Sequence, residues 1–169
     1  MPEQAMERTH DEEFSMESLI HCIYASAAKQ ALGNAELAEL LERARTNNAR
    51  LNVTGMLLYA EGSFFQVLEG DEATVDGLLA KIAADKSHEN VTLIVREPIA
   101  KRAFGAWTMG FSRLTREDIE SIDGLNDFFG KASCLAQIDS GRAMKLLRCF
   151  AKGRWRSRLS GATAYKVAA

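Results

Sequence analysis

The sequence predicts an α+β fold, with two helices on one face of a five-stranded mixed sheet and further helices after it. Three observations carry the prediction. Between Ser18 and Leu114, β-patterned runs and helical patterns follow one another in the order β-α-β-β-α-β-β. The connection Ala60-Glu61-Gly62-Ser63 is short enough to join antiparallel neighbours as a hairpin. The strand segments are rich in β-branched and aromatic residues, whereas the helical ones repeat apolar residues at spacings of three and four.

Residues 18–26, SLIHCIYAS, are apolar and partly β-branched, with no helix cap before them, and read as the first strand. Asn34 is the expected N-cap of a helix, AELAELLERARTNNAR, with Glu36 in its first turn at the positive end of the dipole. Leu37, Leu41, Ala44 and Asn48 share one stripe of it. Residues 53–59 form the second strand, and GSFFQVLEG (62–70) holds the third. Alternation there puts Phe64, Gln66 and Leu68 on one face and Phe65, Val67 and Glu69 on the other. Asp71 is expected to cap the second helix, EATVDGLLAKIAADK, with Val75, Leu78, Leu79 and Ile82 turned inward. Residues 91–99 and 106–114 are the fourth and fifth strands. This order is of the ferredoxin-like kind, with the first and third strands side by side at the sheet centre. Past Leu114, Thr115 to Asp118 opens a short helix. Residues 140–154 form an amphipathic one whose Met144, Leu147 and Phe150 are expected to cover the outer face of the sheet.

The chain of 169 residues is about one domain with a little left over, and 47% apolar residues are enough for a real core. The expected division is an acidic disordered tail over 1–15, a domain over 16–114 and a helical extension with a basic tail over 115–169. No 18-residue uncharged apolar window and no apolar leader are present, so neither a membrane span nor a signal peptide is expected. Cys22, Cys134 and Cys149 are odd in number and widely spaced, which argues against a disulfide framework or zinc site and for a reduced, cytoplasmic setting. From Ser140 to Ala169 there are eight basic residues and no acidic one, leaving 13 of the 21 basic residues to face all 23 acidic ones elsewhere. The run Arg154-Trp155-Arg156-Ser157-Arg158 is expected to be a solvated end or to meet an acidic surface, and direct nucleic-acid binding is not expected.

Four positions interrupt apolar surfaces. Tyr24 alternates with Ile20 and Cys22, Asn48 completes the apolar stripe of the first helix, Gln66 sits between Phe64 and Leu68, and Trp107 and Met109 share a face of the fifth strand. Singly, each reads as packing or capping. Together they imply a polar cluster between sheet and helices, and buried polar groups must find partners. A planar, hydrogen-bonding ligand would satisfy an Asn, a Gln and a Tyr at once.

The runs IYAS, NNARLNVTGMLLYAEGSFFQVLEG, IAADKSHENV, REPIAKRAF and WTMGF, in that order, resemble the BLUF family, sensors of blue light using a flavin. The resemblance implies that the chromophore ring lies between the two helices. By it, Asn48 pairs with the pyrimidine edge of the ring with Asn47 beside it, Tyr24 is the photoactive tyrosine, and Gln66 stands between that tyrosine and the ring. Ser26 assists at the same motif. Lys81 and Asp85, on the second helix, take the ribityl and phosphate end. Trp107 and Met109 border the glutamine and report its state. The implied cofactor is FAD, with FMN or riboflavin as alternatives. The implied event is photochemical: an electron and a proton leave Tyr24 toward the ring, and the Gln66 hydrogen bonds rearrange. No catalytic output domain is expected in a chain this short. The signal is expected to pass to an unknown partner protein, with the chain itself a homo-oligomer. A small acyl-phosphate hydrolase of the same topology is the alternative, though the segment Ala25 to Lys29 lacks the glycine-rich anion cradle it needs.

Overall fold

In the computed structural model, which describes residues 18–28, 32–85, 88–105, 107–126, 128 and 135–152, the elements follow the expected order. They are β1 (Leu19–Ala28), α1 (Asn34–Leu51), β2 (Thr54–Ala60), β3 (Ser63–Asp71), α2 (Glu72–Ala84), β4 (His88–Pro98) and β5 (Gly110–Arg113). Then come α3 (Arg116–Glu120), a single 3-10 turn (Leu135–Gln137) and α4 (Ser140–Ala151). The acidic segment 1–15 and the basic run 154–158 lie outside the described residues.

The sheet runs β4-β1-β3-β2-β5, antiparallel throughout except for the parallel pair β2–β5. This is the α+β, ferredoxin-like arrangement, with β1 and β3 adjacent at the centre. The β2–β3 hairpin closes through Glu61 and Gly62, both at positive φ (50° and 72°), the backbone of a two-residue turn whose twist matches its strands. Gly55 on β2 has no room for a side chain, because a Cβ there would run into the Val67 carbonyl oxygen.

Both helices bury their stripes on one sheet face. Leu37 and Leu41 of α1 and Val75 and Leu78 of α2 pack with Tyr24, Leu57, Phe64, Met109 and Phe111. The outer face is covered too. Ile23, Met56, Leu58, Phe65 and Val67 form a second core with Ile119, Leu125, Leu146, Leu147 and Phe150 from the C-terminal helices and loops. Alternation along β3 accounts for both layers, since successive side chains go to opposite faces.

Some local expectations give way. Gly33, not Asn34, is the N-cap of α1, and Glu36 accepts a hydrogen bond from the Gly33 N–H at 3.1 Å. The Asn34 side chain instead accepts from Arg113 Nη1 at 2.8 Å. Asp71 occupies the cap position of α2 without capping through its side chain, and the Glu72 N–H donates to the Ser18 carbonyl at 2.9 Å. The expected helix over 140–154 is described as far as Ala151. The expected fifth strand over 106–114 reduces to residues 110–113. Before it, Trp107 makes a single bridge, its carbonyl accepting from the Gly55 N–H, and Thr108 and Met109 bend. That bend ends the alternation, so Trp107 and Met109 do not share a face. Trp107 packs toward the outer core and Met109 lies in the helix-side core.

Candidate functional site

Strand register brings the central polar residues into line. Tyr24 on β1 pairs with Gln66 on β3, and Gln66 pairs with Leu57 on β2, a row across the sheet that faces the helices. Above the row, between α1 and α2, opens a cavity of about 340 Å³. From the sheet it is lined by Tyr24, Leu57, Phe64 and Gln66, and from α1 by Leu40, Arg43, Ala44, Asn47 and Asn48. Leu78, Ile82 and Asp85 of α2 close the far side. The volume falls at the small end of ligand pockets, which run from roughly 300 to 1,000 Å³.

Asn48 follows Leu37, Leu41 and Ala44 onto the inner stripe of α1 and is buried there. Its Nδ2 donates to the Thr108 carbonyl at 2.9 Å. It is not the helix cap: Asn52, at φ 54°, takes that left-handed position. Gln66 is also buried, and its Nε2 donates to Met109 Sδ at 3.5 Å. Arg45 Nε donates to the Met109 carbonyl at 2.9 Å. Helix α1 thus grips the Thr108–Met109 backbone twice, while β3 touches the Met109 side chain.

Of the residues expected at the site, Tyr24, Asn47, Asn48, Gln66 and Asp85 line the cavity, and Met109 adjoins it through Gln66. Asp85 is the exposed C-cap residue of α2. Ser26 is buried in β1 but is not among the lining residues. Lys81 is exposed and stands off the stripe 78–82–85 that meets the cavity. Trp107 lies on the other side of the sheet end. Sequence reasoning missed Arg43 and Arg45. Arg43 sits four residues before Asn47, on a neighbouring helix position, and that spacing was the available signal.

Three buried residues on the cavity wall carry polar groups with capacity to spare. The Tyr24 hydroxyl makes no hydrogen bond with the described residues, Gln66 Oε1 makes none, and Asn48 Oδ1 makes none. Burial pushes the Tyr24 phenol far above its ordinary pKa, so it stays neutral and keeps its proton. Amides that can donate and accept, a phenol, and apolar walls from Leu40, Leu57, Phe64 and Ile82 suit the edge and faces of a flavin ring. The donor set therefore fits the group that the family resemblance implies.

A family model described as sensors of blue-light using FAD matches residues 19–110, more than half of the chain. Among curated proteins, photoactivated adenylate cyclase subunit alpha of Euglena gracilis is 34% identical over 109 residues, or 64% of this chain and 11% of that protein. The chain thus spans about a tenth of the length of such relatives. Among solved structures, the BLUF protein BlrB in its dark state superposes with a TM-score of 0.65 at 27% identity, covering 81% of this chain and 98% of that one. Klebsiella pneumoniae BlrP1 with FMN and cyclic diGMP superposes at 0.56 and 29% identity, over 82% of this chain and 36% of that one. Sequence, fold and the chemistry of the cavity agree, and the chain belongs to the BLUF family of blue-light sensors.

Proposed function

We propose that the chain senses blue light with a flavin held between α1 and α2, and that the Gln66 amide is its switch. The observation that carries this reading is the convergence of Tyr24, Gln66 and Asn48, each with unused hydrogen-bonding capacity, on one cavity. Bound there, the flavin supplies the absorption of blue light and a transient acceptor for an electron. Tyr24 is placed to give that electron and its proton, since its phenol is neutral and lies in register beside Gln66. Gln66 has two amide orientations, one offering nitrogen and the other oxygen to each neighbour. Thioether sulfur is a weak acceptor, so the bond from Nε2 to Met109 Sδ is easily exchanged. Asn48 anchors the ring while its other amide group ties Thr108.

FAD is the flavin we favour, from the family description. Asp85 and Arg43 stand at the cavity wall for the ribityl end. Output is proposed to run from the Trp107–Met109 segment through β5 to the C-terminal layer, and from there to a separate protein. A cytoplasmic setting and self-association complete the reading.

The test is direct. Purified protein, loaded with FAD, FMN or riboflavin, should be yellow and should shift reversibly to longer wavelength under blue light. Tyr24→Phe should keep the colour and lose the shift. Protein that takes up none of the three flavins, or a Tyr24→Phe variant with a full photocycle, would sink the proposal.

A further inference from the structure

Three residues beyond Gln66 on the same strand, Glu69 points to the opposite face and is fully buried. A buried carboxylate is costly unless hydrogen-bonded, and this one is held closely. It accepts from Thr54 Oγ1 at 2.9 Å, from the Ala103 N–H at 2.6 Å, and from the Phe104 N–H at 3.3 and 3.1 Å to its two oxygens. Arg102 completes the knot: its Nη1 donates to Thr54 Oγ1 at 2.8 Å and to the Glu69 carbonyl at 2.9 Å, and its Nη2 to the Asn52 carbonyl at 2.8 Å. Residues 102–104 are thereby fastened to β2 and β3 by directional bonds, where an apolar contact would leave them free to slide.

The same loop continues into the segment that touches the switch. The Trp107 N–H donates to the Phe104 carbonyl at 2.9 Å, and two residues later Met109 Sδ meets Gln66. Strand β3 therefore holds one short stretch of chain at two points, with a satisfied carboxylate on one face and an exchangeable amide on the other.

We propose that Glu69, with Thr54 and Arg102, is a positioning anchor that turns the Gln66 rearrangement into movement of Trp107. With residues 102–104 fixed, a change at Met109 has to be taken up at Trp107, whose ring packs on the outer core. Without the anchor the change dissipates in the loop. This inference rests on Gln66 being the switch.

The test uses the full flavin-loaded chain with Trp155→Phe, so that Trp107 is the remaining tryptophan. Light should change Trp107 emission alongside the visible red shift. Glu69→Gln and Thr54→Val, both close in shape to the originals, should keep flavin and red shift while the Trp107 response falls at least about twofold, the low end for cutting a connecting element. Thr54→Ser, which keeps the hydroxyl, should restore the response. If Glu69→Gln does not fold, Thr54→Val carries the test. An undiminished Trp107 response in these variants overturns the anchor, as does a red shift with no Trp107 response in the parent. Loss of the red shift with flavin still bound also overturns it, because Glu69 would then act on the switch itself. A parent that shows no red shift fails the photoreceptor reading first, and is recognised before any variant is made.

Discussion

Gln66 sits in a strand of Phe, Val and Leu with its Nε2 on a thioether and its Oε1 without a partner among the described residues. That oxygen is not shut away from the cavity Gln66 lines, so it is open to a hydrogen-bonding ligand there, a bond worth about 0.5–1.5 kcal/mol net. Gln66→Leu keeps the bulk and deletes the choice of orientation. The variant should bind flavin roughly 2- to 12-fold more weakly, the value of one net hydrogen bond, and should lose the red shift. Flavin titration and a light-minus-dark spectrum measure both, and a normal shift in Gln66→Leu would remove the amide from its role. Tyr24 beside it keeps its proton across the physiological range, so the size of the light response should not titrate with the phenol there.

At the scale of elements, the bend before β5 is where sensor face and outer face meet. Gly110 has no spare room: a Cβ there would fall on the Trp107 ring and come within 2.7 Å of Met56 Sδ. Gly110→Ala should therefore push the ring from its seat, destabilise the protein by about 1–3 kcal/mol as overpacking does, and alter Trp107 emission, read by denaturant unfolding with fluorescence. Unchanged stability and emission would show that the ring has slack. This bend was also the hardest part to read in the sequence. The central strands were legible because alternation in SFFQVLE leaves one consistent assignment of faces, and α1 because Leu37, Leu41 and Asn48 repeat at helical spacing. WTMGF alternates as well, yet hydrogen bonds from Asn48 and Arg45 to carbonyls of this segment pull the backbone off the strand path. Such side-chain-to-backbone ties leave no periodic trace. Asn34 failed as a cap for a related reason, since Arg113, 79 positions away, takes its side chain. Tyr24, Asn48 and Gln66, whose types look out of place in the sequence, line the cavity, whereas Arg43 beside them and Glu69 on the opposite face give no such signal, because arginine on a helix and glutamate at a strand end attract no notice.

For the whole molecule, the central strands β1, β2 and β3 are buried on both sides, and burial sets an alkaline limit. Cys22, under the helix layer, has its pKa raised from 9.0 to about 11, first by desolvation and then by the charge of Asp76. Below pH 9 the thiol is protonated folded or unfolded, and its contribution is intact. Between pH 9 and about 11 the unfolded chain gives up the proton that the folded one keeps, so stability falls as pH rises. Tyr24 adds to the fall above pH 10. Urea unfolding at a series of pH values should show a shallower decline between pH 9 and 10 for Cys22→Ala than for the parent, and equal slopes would discount the thiol. The outer layer sets a different bound. Met56, Leu58, Phe65 and Val67 are buried beneath the C-terminal helices, and uncovering four such side chains would cost roughly 6–12 kcal/mol. One exchanged hydrogen bond at Gln66 is worth about 0.5–1.5 kcal/mol. On the proposed mechanism, an exchange of that size is too small by itself to lift the roof from the sheet, and tilts a balance between closely similar roofs. The separate partner proposed above would then discriminate shapes that differ slightly, and a coupling of about 1.5 kcal/mol corresponds to a selectivity of roughly tenfold between darkness and light, more where several copies act together.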